Sequence, residues 1–106
     1  MAHFRLTGPA RVDLATILDT SQDRWGKAAS IRYEALLETA MQSIKVDPEG
    51  PLTRSRIEIG PGVRSFHIRH ARRTHGVKEP VYVVYFRINR SGMIEILRIL
   101  HERMGA

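Results

Sequence analysis

Residues 81–104, VYVVYFRINRSGMIEILRILHERM, are the stretch that decides the fold. They predict two apolar β-strands joined by a tight turn at Arg90-Ser91-Gly92, whose glycine is typical of hairpin turns. The side chains of the first strand alternate between two sets, Tyr82, Val84, Phe86 and Ile88 on one face and Val81, Val83, Tyr85 and Arg87 on the other. Both faces are largely apolar, which indicates a central strand covered on both sides. The rest of the chain must pack against this hairpin.

The length and composition indicate one domain that spans residues 1–106. No run of about 18 apolar residues is present, so we expect no membrane span. The N-terminus lacks the apolar core of a signal peptide, which favours a cytoplasmic protein. Cysteine is absent, which excludes disulfides and thiolate chemistry.

The positive charge is concentrated in the second half of the chain. Residues 1–53 hold six Lys/Arg and seven Asp/Glu, whereas residues 54–106 hold eleven and four. Fourteen of the seventeen cations are Arg, the residue suited to bidentate contacts with phosphate or carboxylate. The imbalance predicts an acidic partner, with solubility as the alternative explanation.

Two helices are predicted before the strand-rich half. Thr7-Gly8-Pro9 is typical of the start of a helix, and Gly26 is typical of its end. A second helix is predicted from Lys27 to the Asp47–Pro51 segment. We expect the two helices to form an antiparallel hairpin with Trp25 as a core anchor. Asp13 lies off the apolar stripe and is expected to face water alone. The apolar stripes are Leu14, Ile17, Leu18 and Trp25 in the first helix and Ile31, Tyr33, Leu36, Leu37, Ala40, Met41 and Ile44 in the second.

The strand pattern completes an α+β architecture. Phe4–Leu6 predicts an N-terminal strand, and Val63–His70 alternates as a strand before a basic excursion at Ala71–Glu79. With residues 81–104, these segments predict one curved sheet with a three-stranded antiparallel meander, or four strands if Arg56–Ile59 also pairs. The helical hairpin covers one face of that sheet.

The candidate catalytic groups are few. His67 and His70 would point to opposite faces of a strand, so we expect no metal site, and no cofactor motif is present. A metal-independent ribonuclease could be built from His101 and the strand arginines, but on the residues alone solubility is the better interpretation of those arginines. The strand aromatics alternate among core aliphatics, so direct nucleic-acid binding by the isolated chain is not expected.

The ordered set of motifs resembles the ParE toxins, a branch of the RelE/ParE superfamily of bacterial toxin–antitoxin systems. The resemblance covers nearly the whole chain, although the Ala71–Glu79 excursion departs from it. The residues that carry it are Leu6, the Pro9–Gly26 helix ending Asp23-Arg24-Trp25-Gly26, Asp47-Pro48-Glu49-Gly50, Gly60-Pro61-Gly62-Val63-Arg64-Ser65-Phe66, Val84-Tyr85-Phe86-Arg87 and Arg98-Ile99-Leu100-His101-Glu102-Arg103-Met104.

The resemblance implies a non-enzymatic toxin that poisons DNA gyrase and is neutralised by a cognate ParD-like antitoxin, whose acidic tail would fold on binding. We predict that the target-interaction residues are Arg64, Arg87, Arg98, His101, Arg103 and Met104. The predicted antitoxin-binding residues are Leu14, Ile17, Leu18, Trp25, Tyr33, Leu37 and Met41.

A RelE-like mRNA interferase is the alternative, because it would share the fold. The resemblance to that branch requires lysines on the middle strands, whereas Lys27, Lys45 and Lys78 lie off the predicted strands. Tyr82 also stands where that branch would place an arginine. His101 is flanked by Arg98 and Arg103, so cleavage of mRNA is not excluded.

Overall fold

The predicted terminal hairpin lies inside a five-stranded sheet in the computed structural model, which describes residues 4–74, 77 and 80–104. The elements are β1 (Phe4–Leu6), α1 (Gly8–Trp25), α2 (Lys27–Val46), β2 (Thr53–Ser55), β3 (Arg64–His67), a 3₁₀ helix (Ile68–Thr74), β4 (Tyr82–Ile88) and β5 (Ile94–His101). The strand order is β1-β5-β4-β3-β2, with β1 parallel to β5 and every other pair antiparallel. The predicted α+β class is confirmed.

The ends of α1 follow the signals in the sequence. The hydroxyl of Thr7 accepts a hydrogen bond from the Ala10 N–H at 3.4 Å and donates to the Ile96 and Leu97 carbonyls at 3.0 Å. Thr7 therefore caps the helix and fastens it to β5. At the other end Gly26 has φ 91°, a conformation that favours glycine, and its N–H donates to the Gln22 carbonyl at 2.9 Å.

The main core lies between the helices and one face of the sheet. Its fully buried side chains include Leu36, Leu37, Ile44, Val84, Phe86, Ile94 and Ile96. The opposite face of β4 carries a smaller cluster, in which Val63, Val83 and Tyr85 pack with Leu97 and Leu100. Both faces of β4 are thus covered, as the alternation of two apolar faces predicted.

Two residues assigned to the helical stripes are not in the core. Trp25 is 71% exposed and Ile31 is 56% exposed. Ile17 is buried against the sheet, but Trp25 lies eight residues, about 12 Å, further along α1, at the wall of an open groove. The prediction that Trp25 anchors the core is wrong because helical periodicity identifies a stripe without showing where the covered surface stops.

Three local predictions also need correction. The strand expected at Arg56–Ile59 lies at Thr53–Ser55, because the Arg56 N–H bonds to the Val63 carbonyl at 2.8 Å and the Ile59 N–H to the Arg56 carbonyl at 2.9 Å, which closes a turn. The meander therefore has four strands. β3 ends at His67 rather than His70, and the 3₁₀ helix takes up the start of the basic excursion, of which residues 75, 76, 78 and 79 lie outside the described residues.

Asp13 does not face water alone. Its carboxylate accepts hydrogen bonds from the Arg98 guanidinium and from the Ile99 backbone N–H, which join α1 to β5. In the part of the chain that the structure describes, no helix is long and apolar enough to cross a membrane.

Candidate functional site

The end of β5 lies between two surface grooves. The helix groove has a volume of about 640 Å³ and is lined by Ile17, Thr20, Ser21, Arg24, Trp25, Ala29, Arg32, Tyr33, Val77, Val81, Tyr82 and His101. The arginine groove, on the helix-free face of the sheet, has a volume of about 820 Å³ and is lined by Pro51, Leu52, Arg54, Arg56, Glu58, Ser65, His67, Arg69, His70, Val83, Tyr85, Glu102 and Arg103. His101 faces the first groove, and the two residues after it face the second.

A row of rings forms the inner wall of the helix groove. The Tyr33 and Tyr82 rings meet edge to face with centroids 5.7 Å apart, and the Tyr82 and His101 rings do the same at 5.9 Å. The Tyr33 hydroxyl accepts a hydrogen bond from the Val81 N–H at 3.3 Å. Burial raises the pKa of Tyr33 to about 12, so this residue is a neutral phenol at physiological pH. Tyr33 therefore contributes no charge to the wall.

The outer part of the helix groove combines apolar and basic groups. Trp25 presents most of its surface to solvent, and Arg24 and Arg32 add two positive charges at the same groove. The Ser21 side chain is buried on this side of α1, and its hydroxyl has no hydrogen-bond partner among the described residues. An apolar groove with basic flanks suits an acidic amphipathic segment.

The floor of the arginine groove is fixed by an ion pair and by a hydrogen bond between a histidine and a carboxylate. The Arg56 guanidinium lies 5.6 Å from the centre of the Tyr85 ring, and its Nε donates to Glu58 at 2.8 Å. His67 Nδ1 accepts from the Arg69 backbone N–H at 3.1 Å, so the ring proton lies on Nε2, which donates to Glu102 at 2.8 Å. The bond from His67 lowers the pKa of the Glu102 carboxyl.

The structure does not gather all the predicted target-interaction residues. Arg98, His101, Arg103 and Met104 lie at or near the end of β5, where Met104 is 68% exposed. Arg87 pairs with Glu95, six residues before His101 and therefore about 20 Å along the strand. Arg64 donates two hydrogen bonds to the Thr53 hydroxyl at 3.1 and 2.9 Å, across the β2–β3 pair.

The predicted antitoxin-binding residues divide by exposure. Trp25 is open to solvent, while Leu14, Leu18 and Tyr33 are partly buried against the main core. Ile17, Leu37 and Met41 are buried, although Ile17 still lines the helix groove. Contact with Leu37 would require the helices to separate from the sheet, so its direct role in binding stays a prediction.

Of the four arginines of the arginine groove, the sequence predicted a role only for Arg103 and not for Arg54, Arg56 or Arg69. Arg54 and Arg56 are two positions apart, a spacing that places side chains on one face of a strand and could have been noticed. Arg69 and His70 belong to the 3₁₀ helix, so His70 shares a groove with His67 instead of facing the opposite side. The described residues hold no group of three or more His, Cys, Asp or Glu side chains placed to bind a metal.

Comparison with solved structures shows which known proteins share this fold. The chromosomal ParDE TA system from P. aeruginosa matches with a TM-score of 0.70 and 22% identity, over 95% of this chain and 96% of that chain. The toxin–antitoxin complex RelBE2 from Mycobacterium tuberculosis matches with a TM-score of 0.57 and 20% identity, over 94% and 96%. The fold is one found in toxin–antitoxin systems.

Sequence comparison then identifies the family. Toxin ParE1 of Mycobacterium tuberculosis (strain CDC 1551 / Oshkosh) is 26% identical over 103 residues, which are 97% of this chain and 92% of the relative. The model of the ParE toxin of type II toxin-antitoxin system, parDE, matches residues 4–105. The chain belongs to this toxin family.

Proposed function

We propose that this protein is a growth-inhibiting toxin that poisons DNA gyrase in the cytoplasm by binding to it, and that a ParD-like antitoxin neutralises it. The match of residues 4–105 to the ParE family carries the proposal. A structural relative described as a ParDE system supports the pairing with an antitoxin.

The helix groove is the surface we assign to the antitoxin. Trp25 offers a large apolar side chain at 71% exposure, and aromatic residues of this kind dominate binding energy when a partner covers them. Arg24 and Arg32, which line the same groove, favour an acidic segment. An amphipathic antitoxin helix with acidic residues would satisfy both features.

The C-terminal segment is the surface we assign to the target. Glu102, Arg103 and Met104 are exposed, and the segment is fixed by the Glu102 N–H, which donates to the Val81 carbonyl at 2.7 Å. A fixed, exposed and partly basic end suits recognition of another macromolecule, because little conformational entropy is lost when it binds.

Binding, rather than chemistry, is the better explanation of toxicity here. The His101 ring packs against Tyr82, and its Nδ1 accepts from the Arg103 N–H at 3.1 Å. That ring lines the helix groove with Arg24 and Arg32, whereas four further arginines line the arginine groove on the other face of the sheet. His101 is thus separated from the larger group of cations that a metal-independent ribonuclease could use.

A gyrase supercoiling and DNA-cleavage assay with the purified chain tests the proposal. We expect loss of supercoiling or accumulation of cleaved DNA, and relief of both when the cognate antitoxin is added first. A matched reaction with a chain that ends after Leu100 should show no inhibition. A wild-type chain that is lethal in cells but leaves gyrase unaffected at excess would contradict the proposal and point to ribosome-bound mRNA as the target.

A further inference from the structure

The charged residues that line the arginine groove do not neutralise one another. Four arginines line it, Arg54, Arg56, Arg69 and Arg103, against two glutamates. Each glutamate already has a partner, since Glu58 pairs with Arg56 and Glu102 pairs with His67. Within residues 4–74, 77 and 80–104, the guanidinium groups of Arg54, Arg69 and Arg103 form no ion pair. The groove is therefore a concave surface on which four arginines outnumber two glutamates.

The groove is also preorganised. Arg56 has a side chain only 13% exposed and lies over Tyr85, which is itself 4% exposed. β2 places Arg54 opposite Ser65, and β3 places Ser65 opposite Tyr85, so these side chains form one row across the helix-free face. A floor whose side chains are already buried and paired does not have to become ordered when an anion binds, which keeps that part of the entropic cost low.

We propose that the arginine groove binds the sugar–phosphate backbone of DNA, in the segment that gyrase presents to the toxin. The inference rests on the proposed function, because gyrase is the source of that DNA. Guanidinium groups bind phosphate oxygens bidentately and without regard to sequence. The Tyr85 ring is covered by Arg56 and offers no face for stacking a base, so the groove contacts the backbone.

The groove is suited to holding a phosphodiester, and the His67 ring in it is not free to act as a base. Both nitrogens of His67 are engaged, by the Arg69 N–H and by the Glu102 carboxylate. Activation of a ribose 2′-hydroxyl needs a free base at the phosphate, which His67 does not provide. This proposal departs from the expectation, drawn from the sequence, that the isolated chain does not bind nucleic acid.

The test is fluorescence anisotropy of a labelled 20-base-pair DNA duplex titrated with the full chain at several salt concentrations. Three phosphate contacts predict a slope of about −2.7 in log affinity against log salt, or roughly a 40-fold loss between 50 and 200 mM. The triple variant R54A/R69A/R103A should bind at least about 10-fold more weakly, with a slope smaller by about 2.7. The variant K27A/K45A/R90A removes the same charge outside the groove and should bind within about 3-fold of wild type.

Equal weakening by both triple variants would overturn the groove assignment, because net charge alone would then explain the binding. Tighter, groove-dependent binding to an RNA of the same length would overturn the assignment to DNA. Circular dichroism of each variant verifies that the fold is retained. Because the titration contains no gyrase, a lack of DNA binding would contradict only the groove assignment and not the proposed function. A negative supercoiling assay would contradict the proposed function and would not change the measured DNA affinity.

Discussion

Arg98 on β5 donates two hydrogen bonds to the carboxylate of Asp13 on α1, at 2.8 and 3.0 Å. The same carboxylate accepts from the Ile99 backbone N–H at 2.9 Å. β1 pairs with β5 only as far as Ile96, so the Ile99 N–H lies where β5 has no strand on that side. The Asp13 side chain takes the place of the missing strand and holds α1 against the sheet beside the C-terminal segment.

Asp13→Ala should therefore lower the free energy of unfolding by about 2 kcal/mol, because it leaves the Ile99 N–H without a partner. Arg98→Ala should cost less than about 1 kcal/mol, since its side chain is 48% exposed and the backbone bond remains. Urea denaturation followed by circular dichroism measures both. Equal losses for the two variants would show that the ion pair, and not the backbone bond, provides the stability.

Glu95 should make stability depend on pH. Hydrogen bonds from Arg87 and Arg5 hold the pKa of the Glu95 carboxyl below its ordinary value of 4.5. A depressed pKa in the folded state means that the stabilisation is present above pH 4.5 and is lost as the pH falls through the folded pKa. Glu95→Gln should lower the melting temperature at pH 7, and the difference from wild type should shrink below pH 4.5. A difference independent of pH would exclude the ionised carboxylate as its source.

Substitution of Trp25 should weaken antitoxin binding, whereas substitution of Leu37 should lower stability, although both residues were predicted to bind the antitoxin. Trp25→Ala should change the free energy of unfolding by less than about 0.5 kcal/mol but weaken antitoxin binding by about 2 kcal/mol or more. Leu37→Ala, at a fully buried site, should cost about 2–5 kcal/mol of stability. Calorimetric titration with the antitoxin and thermal unfolding separate the two effects. Val12→Ala, at an exposed position of α1 outside the groove, is the control.

Ser21→Ala should stabilise the free toxin by about 1 kcal/mol, because it removes a buried hydroxyl that has no partner among the described residues. If the antitoxin supplies that partner, the same variant should bind it less tightly. Thermal unfolding of the toxin alone measures the change in stability, and thermal unfolding of the complex measures the change in antitoxin binding. A loss of stability in the free toxin would mean that the hydroxyl is already satisfied.

A chain that ends after Leu100 should lose toxicity while keeping its fold and most of its antitoxin binding. The β4–β5 ladder still extends from Val83 to Leu100, whereas the exposed residues 102–104 and the His67–Glu102 pair are gone. Growth after induction in cells, with and without the antitoxin gene, is the measurement. A chain that ends after Met104 is the control, and full toxicity of the shorter chain would refute the assignment of the target surface.

Local signals determined much of this architecture. Alternating apolar residues identified β4 and β5, and Thr7, Pro9 and Gly26 marked the ends of α1. These features depend on neighbours within a few residues, so a single sequence contains them. The same motifs, taken in order, indicated the ParE family that the comparison with family models confirms.

The grooves were decided only by the tertiary structure. Whether a residue on an apolar helical stripe is covered depends on how far the sheet extends beneath it, and Trp25 therefore lies open where periodicity predicted burial. The arginine groove joins residues from β2, the 3₁₀ helix and the C-terminal end, because strand pairing and a turn at residues 57–62 bring them together. Such contacts form between residues that are distant in the chain, and a local pattern of charge or hydropathy does not predict them.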